Sequence, residues 1–158
     1  MRTKGFTLIE LLVALMIIAI LAGVAIPYIT RYYRAYRYNE YVLQVESTLK
    51  WARLIAMERG INTLVCLQGQ NLSIVNRGQA RDLNCTGQVI RSVLVDAGDQ
   101  GFVNIQANNF PVGFDPRGLA FTNGGEGTIT VRRTDGVNTC TQYVVRNMSA
   151  YVERRACQ

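Results

Sequence analysis

Lys4-Gly5-Phe6-Thr7-Leu8-Ile9-Glu10 is the stretch of sequence that decides the fold. A short basic segment ends there in a glycine, and an apolar run follows at once that carries a single early carboxylate, Glu10. A charge inside hydrocarbon costs about 2.5–3.5 kcal/mol on insertion scales. A sequence that keeps such a residue needs a neutralising group, and we expect a positive charge on another chain to supply it.

The apolar run has the length of a membrane-spanning helix. Phe6 to Ile26 comprises 21 residues, which at ~1.5 Å per residue matches the ~30 Å hydrocarbon core of a bilayer. A cleaved secretory signal is the rival interpretation, and Ala22-Gly23-Val24-Ala25 would supply a loose cleavage site. Because apolar, periodic sequence continues well beyond this point, the sequence favours a retained helix.

Gly5 to Val13, with the sequence GFTLIELLV, resembles the prepilin signal of the type IV pilin superfamily. This superfamily includes pilus subunits, minor pilins, type II secretion pseudopilins and competence pilins. The resemblance implies that prepilin peptidase cleaves between Gly5 and Phe6 and that the new amine of Phe6 is methylated. It makes Glu10 the fifth residue of the mature chain, and Pro27 matches the helix-weakening proline of the superfamily. It also implies assembly with other pilins or pseudopilins, with Phe6, Glu10 and Pro27 as the assembly residues.

The same resemblance divides the chain into segments and places them in the cell. The expected segments are a leader peptide (1–5), a transmembrane or filament-core helix (6–27), a helix extension (28–60) and a globular head (61–158). Arg2 and Lys4 flank one end of the span while Arg31, Arg34 and Arg37 flank the other, so charge alone does not orient it. The leader implies a cytoplasmic N-terminus, a bacterial inner-membrane anchor and a periplasmic head that later enters a pilus or pseudopilus filament.

Four cysteines follow the span, and an even number in a small exported domain predicts a disulfide framework rather than free thiols. Four cysteines allow three pairings, of which we predict Cys66–Cys85 and Cys140–Cys157. The second pair is centred beside Met148, where a hairpin turn would bring its two cysteines opposite each other. The chain has no histidine and no Cys-x-x-Cys pair, so a zinc site is disfavoured. We predict neither a metal nor a cofactor.

After Pro27 the sequence predicts that the helix continues to about Arg59, with Gly60 as its stop signal. Apolar residues recur there in steps of three and four, on one stripe that packs on the head. They are Ala35, Tyr38, Val42, Val45, Leu49, Ala52 and Ala56. Six tyrosines are interleaved with arginines and are interpreted as a membrane-interface belt or as a packing surface against neighbouring subunits. They are Tyr28, Tyr32, Tyr33, Tyr36, Tyr38 and Tyr41.

The rest of the chain predicts a head of six to eight short antiparallel strands. The predicted strands are 63–67, 72–75, 89–95, 102–105, 128–132, 142–145 and 149–152. Thr134-Asp135-Gly136 is a hairpin signal after one of them. The expected fold class is therefore α+β, with a long N-terminal helix packed on a small antiparallel sheet or sandwich.

Two further stretches resemble the GspH/FimT branch of the superfamily. Leu49–Gly60, followed by Asn62–Cys66, resembles the end of the long helix and the first strand, and Phe114–Gly118 resembles the Phe-x-x-x-Gly turn of that branch. The resemblance implies a minor pilin or pseudopilin that initiates or caps a filament. DNA-binding members carry a Gly-Arg-x-Arg pattern near the end, whereas this chain has Ala150-Tyr151-Val152-Glu153-Arg154-Arg155, which lacks the glycine.

Five arginines lie in the final strands, so they could form one patch at the end of the head, and they are candidates for weak contact with DNA phosphates. They are Arg132, Arg133, Arg146, Arg154 and Arg155. In the sequence, Asp135 and Glu153 are the neighbouring acidic residues that offset them. The alternative is a solvated basic edge that discourages aggregation between strands. The formal charge of +6, or +4 without Arg2 and Lys4, is lower than that of a dedicated nucleic-acid-binding protein.

The sequence disfavours an enzyme, because without histidine Ser-His and Cys-His catalysis are excluded. Asp96–Gly101 weakly resembles a calcium loop, but it lacks the distal glutamate of an EF-hand and is interpreted as a turn. The predicted function is that of a non-enzymatic minor type IV pilin that takes part in pilus assembly or initiation at the inner membrane. The alternatives are a type II secretion pseudopilin H, a DNA-binding competence pilin and an abundant filament subunit.

Overall fold

The computed structural model describes residues 6–95 and 101–157, so the predicted leader and most of Asp96–Gly101 lie outside the described residues. The chain divides into two compact units, one ending at Arg37 and one beginning at Tyr38. This boundary falls inside the predicted helix extension 28–60. A single long helix contributes residues to both units.

The helix α1 spans Leu8–Arg59, and the sequence explains both of its ends. At the C-terminal end, Gly60 adopts a left-handed conformation with φ of 62°, and the Ile61 amide donates to the Ala56 carbonyl at 3.2 Å. This is the six-to-one hydrogen bond of a Schellman cap, which satisfies a carbonyl that the helix leaves unpaired. The predicted end of the helix at Arg59 is confirmed.

Pro27 lies inside α1 without ending it. A proline has no amide proton to give to the carbonyl four residues earlier, here that of Gly23, so the helix loses one hydrogen bond at this point. The Thr30 hydroxyl donates to the Pro27 carbonyl at 3.0 Å, an additional local bond in the next turn. The segment therefore stays helical with one backbone hydrogen bond fewer.

From Tyr38 onward α1 buries one stripe of side chains. The buried residues are Tyr38, Tyr41, Val42, Val45, Thr48, Leu49, Ala52, Ile55 and Ala56. The predicted stripe is confirmed for all its members except Ala35, which is half-buried. Tyr38 and Tyr41 are only 3% and 2% exposed, so the prediction that they belong to a membrane-interface belt is wrong. Their rings are instead part of the core of the head.

The described residues contain nine strands, one more than the upper end of the predicted range. They are β1 (Asn62–Gln68), β2 (Asn71–Gly78), β3 (Gln88–Leu94), β4 (Val103–Asn108), β5 (Val112–Phe114), β6 (Ala120–Phe121), β7 (Glu126–Arg133), β8 (Cys140–Arg146) and β9 (Val152–Ala156). One sheet has the order β3-β2-β1-β5-β6 and the other β4-β7-β8-β9. All pairings are antiparallel.

Sequence reasoning missed the two short strands β5 and β6 and placed the last strand too early. The predicted strand 149–152 begins in a turn, where Met148 has a positive φ of 59° and the Ser149 amide donates to the Arg146 carbonyl. The β9 strand starts only at Val152. A strand of two or three residues is too short for an alternating pattern to be read from the sequence.

The main core lies between α1 and both sheets. Val65 and Ile74 of the five-stranded sheet and Ile129 and Tyr143 of the four-stranded sheet belong to the same buried cluster as the α1 stripe. A smaller cluster of Leu64, Cys66, Val75 and Phe121 has the half-buried Leu83 and Cys85 packed against it. The connection between β2 and β3 thus forms a cover that the Cys66–Cys85 disulfide attaches to β1.

Candidate functional site: the helix start and the faces of the head

The first turns of α1 expose an apolar surface. Within the described residues, α1 is the one helix that is long and apolar enough to cross a membrane, judged by length and composition. The candidate span buries none of its residues inside the molecule, and Phe6, for example, is 88% exposed. A surface of this kind in a folded chain needs lipid or another protein to cover it.

Glu10 takes part in a capping box at the start of α1. Its Oε2 atom accepts hydrogen bonds from the Thr7 amide at 3.1 Å and from the Thr7 hydroxyl at 3.0 Å. The Glu10 amide in turn faces the Thr7 hydroxyl oxygen at 3.4 Å. Reciprocal bonds between an N-cap threonine and a glutamate three residues later satisfy orphan donors of the first helical turn.

Sequence reasoning missed this local role of Glu10. The signal was available, since Thr7-Leu8-Ile9-Glu10 has the Thr-x-x-Glu spacing of a capping box before an apolar run. A carboxylate with two donors from its own chain is less exposed to the cost of hydrocarbon than an isolated one. Glu10 therefore has an intrachain partner before any other chain is present.

The other two expected assembly residues, Phe6 and Pro27, lie in the N-terminal part of the chain. Phe6 precedes the helix and is almost fully exposed, while Pro27 lies within α1. Gly5, the residue before the expected cleavage point, lies outside the described residues. Cleavage between Gly5 and Phe6 remains a prediction.

Two disulfides join cysteines of the head. Cys66 and Cys85 are bonded with their Cα atoms 6.0 Å apart, and Cys140 and Cys157 are bonded with theirs 5.5 Å apart. The second bond closes the hairpin of β8 and β9, because Thr141 pairs with Ala156 in the adjacent register position. These are the two pairs that the sequence analysis proposes.

The five candidate arginines do not form one patch. Arg133 is an inward-facing residue whose guanidinium forms two hydrogen bonds with the Asp135 carboxylate, and both side chains are less than one-tenth exposed. Arg154 pairs in register with the buried Tyr143, which puts it on the opposite face of the sheet from its neighbours in β9. The expectation of a single basic patch is wrong, because successive residues of a strand point to opposite faces.

Arg132, Arg146 and Arg155 share the outer face of the four-stranded sheet with two glutamates. Arg146 Nε lies 2.7 Å from Glu126 Oε1, and Arg155 Nη2 lies 2.8 Å from Glu153 Oε2. The sequence analysis did not count Glu126, although it is the register partner of Arg146 across β7 and β8. The net charge of this group is therefore +1, and among the described residues Arg132 forms no ion pair.

Two tyrosines form hydrogen bonds between α1 and the four-stranded sheet. The Tyr38 hydroxyl donates to the Thr141 hydroxyl at 2.9 Å and lies 3.2 Å from the Val131 carbonyl. The Tyr143 hydroxyl lies 3.0 Å from both the Val42 carbonyl and Glu46 Oε2. Burial, and then the neighbouring Glu46 carboxylate, raise the pKa of Tyr143 well above its usual range. Hydrogen bonds from Lys50, and also from Tyr143, lower the pKa of Glu46.

The Phe-x-x-x-Gly stretch forms a tight turn between β5 and β6. The buried Asp115 carboxylate accepts the Arg117 and Leu119 amides at 2.9 and 3.0 Å. Gly118 has φ of 78°, and a Cβ atom there would lie 2.6 Å from the sulfur of Met57 in α1. The left-handed backbone conformation favours glycine at this position, and a larger residue would also have to displace the Met57 side chain.

Comparisons with known proteins agree with this architecture. The family model of the prokaryotic N-terminal methylation motif matches residues 1–26, and that of type II transport protein GspH matches residues 42–148. Two crystal structures of the type IV minor pilin FimU from Pseudomonas aeruginosa are similar in fold, each at 13% sequence identity. One has a TM-score of 0.55 over 76% of this chain and 92% of FimU, and the other a TM-score of 0.56 over 76% and 97%. No curated protein matches the chain.

Proposed function

This chain belongs to the family of type II transport protein GspH, and from its structure we propose that it is a non-enzymatic minor pilin that takes part in pilus assembly or initiation. Proteins of this family are structural rather than enzymatic, and their N-terminal helices assemble with those of other pilins or pseudopilins. The proposed sequence of events is cleavage after Gly5 at the inner membrane, methylation of Phe6, and transfer of the helix from lipid into a filament.

The observation that carries this proposal is the apolar, exposed start of α1, which lies within the match to the N-terminal methylation motif. The head supports the periplasmic location that we propose, because disulfides such as Cys66–Cys85 persist in oxidising compartments. We likewise propose that the N-terminus lies on the cytoplasmic side of the membrane, and this rests on the predicted leader alone.

Glu10 provides the test of the assembly role. After cleavage the amine of Phe6, on the same or an adjacent subunit, would pair with the Glu10 carboxylate, and opposite charges a few ångströms apart offset each other's desolvation. We expect Glu10→Ala to leave leader cleavage largely intact and to lower the amount of the chain in sheared filament fractions. Normal incorporation of Glu10→Ala would overturn the proposal.

Glu10→Gln separates the two roles of this side chain. A glutamine can still accept the Thr7 amide at the helix start but has no charge for an amine. If pairing between chains is the function, Glu10→Gln fails to incorporate as Glu10→Ala does. If only the capping box matters, Glu10→Gln incorporates normally and Thr7→Ala fails.

The pilus is proposed over the type II secretion machine from the basic, disulfide-bonded head and the fold shared with the minor pilin FimU. A strain that lacks the gene discriminates the two. We expect loss of surface pili with secretion of exoproteins intact, and restoration by the wild-type gene. Loss of secretion with normal pili would instead assign the chain to the secretion pseudopilus.

A further inference from the structure

Four polar residues form one row across the outer face of the four-stranded sheet. Gln106 of β4 pairs in register with Thr130 of β7. Thr130 pairs in turn with Gln142 of β8, and Gln142 pairs with Arg155 of β9. All four residues line a shallow depression of about 350 Å³, and the first three also line a second depression of about 380 Å³ beside it. We call Gln106, Thr130, Gln142 and Arg155 the polar row.

The amide and hydroxyl groups of the polar row keep their hydrogen-bonding capacity for a ligand. Within the part of the chain that the structure describes, the side chains of Gln106, Thr130 and Gln142 form no hydrogen bond with another residue. Thr130 and Gln142 are nevertheless half-buried. A half-buried amide or hydroxyl without a protein partner binds water or a ligand instead. The row therefore offers a line of unused donors and acceptors inside a depression.

The chemistry of these side chains selects the class of ligand. Amide and hydroxyl side chains, apart from their number of protons, both donate and accept hydrogen bonds, as do the hydroxyl and acetamide groups of an amino sugar. A nucleic-acid backbone binds chiefly through the charge of its phosphates, whereas every residue that lines the second depression is uncharged. Arg132 and Arg155 line only the first depression. Arg132 forms no ion pair among the described residues, so its guanidinium is available to a carboxylate of the ligand.

The spacing of the polar row suits a chain of sugars. Neighbouring strands of a sheet lie ~4.8 Å apart, which is close to the length of one pyranose unit in an extended glycan strand. A glycan that crosses β4, β7, β8 and β9 therefore meets one side chain of the row at each sugar unit. The outer face of the sheet thus matches such a strand in both its chemistry and its repeat.

We propose that the polar row binds the glycan strand of the bacterial cell wall, with a carboxylate of the wall polymer at Arg132. This polymer consists of N-acetylated amino sugars and carries carboxylates at regular intervals, so it supplies the acetamides, hydroxyls and negative charge that the outer face can bind. It also lies in the periplasm, where we place the head. The assignment rests on this proposed location and gives the head a contact with the wall through which a filament must pass.

Cosedimentation of the full chain in detergent with purified cell-wall sacculi, at about 0.15 M salt, tests this contact. We expect Gln106→Ala combined with Gln142→Ala to weaken binding roughly tenfold, through the loss of two amide hydrogen bonds. Gln88→Ala is the matched control, because Gln88 is an exposed glutamine on β3 of the other sheet. None of these substitutions changes the charge, so non-specific attraction between a basic chain and acidic sacculi cannot produce the difference. Equal binding by the double variant and the wild type would overturn the assignment.

Competition identifies the ligand, and a second measurement separates this site from the assembly role. Glycan fragments released from the sacculi by a muramidase should displace the bound chain, while duplex DNA at the same concentration should not. Displacement by DNA alone would show that the face binds nucleic acid instead. All variants should keep the wild-type melting temperature. If the wild-type chain is found in filaments but does not bind sacculi, only the assignment of the polar row is disproved. If it binds sacculi but is absent from filaments, the proposed assembly function fails and the polar row stands.

Discussion

The two parts of α1 differ in what surrounds them, and the difference shows which part of the chain carries its own stability. In the first part, side-chain hydrogen bonds such as those of Thr7 with Glu10 and of Thr30 with Pro27 are local. From Tyr38 onward they reach across the fold, joining residues more than 90 positions apart. The first part therefore depends on lipid or other subunits, while the second is fixed by the core of its own head.

The largest expected effect comes from truncating a leucine in the second part of α1, and a leucine of the first part gives the comparison. Leu49 is fully buried, so Leu49→Ala should destabilise the head by about 2–5 kcal/mol, through lost burial and the cavity left behind. Leu15 is 54% exposed and contacts no core, so Leu15→Ala should leave the unfolding transition unchanged. Thermal unfolding of the full chain in detergent measures both.

Leu43, an exposed leucine in the same part of α1 as Leu49, is the matched control. Leu43→Ala should change the unfolding free energy by less than about 0.5 kcal/mol, as surface substitutions usually do. Equal losses for Leu49→Ala and Leu15→Ala would contradict the division of α1 into an externally supported part and a self-supported part.

The next effect concerns the disulfide at the C-terminal edge of the head. Cys140 and Cys157 are separated by 17 positions, and closing a loop of this length contributes about 3 kcal/mol in the entropic model. Replacing both by alanine should lower the stability of the head by that amount, since it removes the constraint that the disulfide places on the unfolded chain. Denaturant unfolding measures the loss.

Non-reducing peptide mapping checks the pairing itself. It should recover Cys140 joined to Cys157 and Cys66 joined to Cys85. A peptide that links Cys66 to Cys140 or Cys157 would overturn the assignment and the predicted role of the disulfide in holding β9.

The helix α1 and the head differ in how far the sequence predicts them. The apolar run, the stripe of α1 and the stop at Gly60 are local patterns with a strong period, and each is read directly from neighbouring residues. The antiparallel head follows from short β-prone runs separated by turns. The strands β5 and β6 could not be predicted, because their pairing depends on β1 and on the Asp115 turn.

The prediction of one basic patch was wrong for a related reason. Arg132 and Arg133 are adjacent in the sequence, but the predicted strand ended at Arg132, whereas β7 extends to Arg133 and successive residues of a strand point to opposite faces. It also takes the pairing of β7 with β8 to bring Glu126 beside Arg146. Long-range pairing therefore decides the charge of each face, and a count of nearby residues does not.

A smaller effect is expected at the hydroxyl that joins the head to α1. Tyr143→Phe removes the hydrogen bonds to Val42 and Glu46 and should cost about 1–2 kcal/mol near pH 7. The folded pKa of Tyr143 is raised, so the stability of the neutral hydroxyl is present below the unfolded pKa of about 10 and is lost as pH rises above it.

Unfolding at pH 8 and above pH 10 tests the sign of this effect. The wild type should lose stability across this interval more steeply than Tyr143→Phe does. Tyr151→Phe is the control, because Tyr151 is 80% exposed. All four cysteines are bonded, so no thiolate is available to start disulfide exchange. If the stability of the wild type and of Tyr143→Phe changed with pH in parallel, this contact would not be the cause of the loss of stability at high pH.

The smallest expected effect is binding of DNA by the outer face of the four-stranded sheet. Arg132 and Arg155 line a shallow depression of about 350 Å³ with Gln106, Thr130 and Gln142, while Arg133 is buried against Asp135. Phosphate contacts from Arg132 and Arg155 would give a log affinity that falls by about 1.8 for each tenfold rise in salt, and the ion pair of Arg155 with Glu153 should make the slope shallower. In a gel-shift titration of the full chain in detergent with duplex DNA, Arg132→Ala combined with Arg155→Ala should abolish this slope. Arg154→Ala should leave it intact, because Arg154 lies on the other face. If micromolar protein shifts no DNA at about 50 mM salt, the prediction that the outer face binds DNA is wrong.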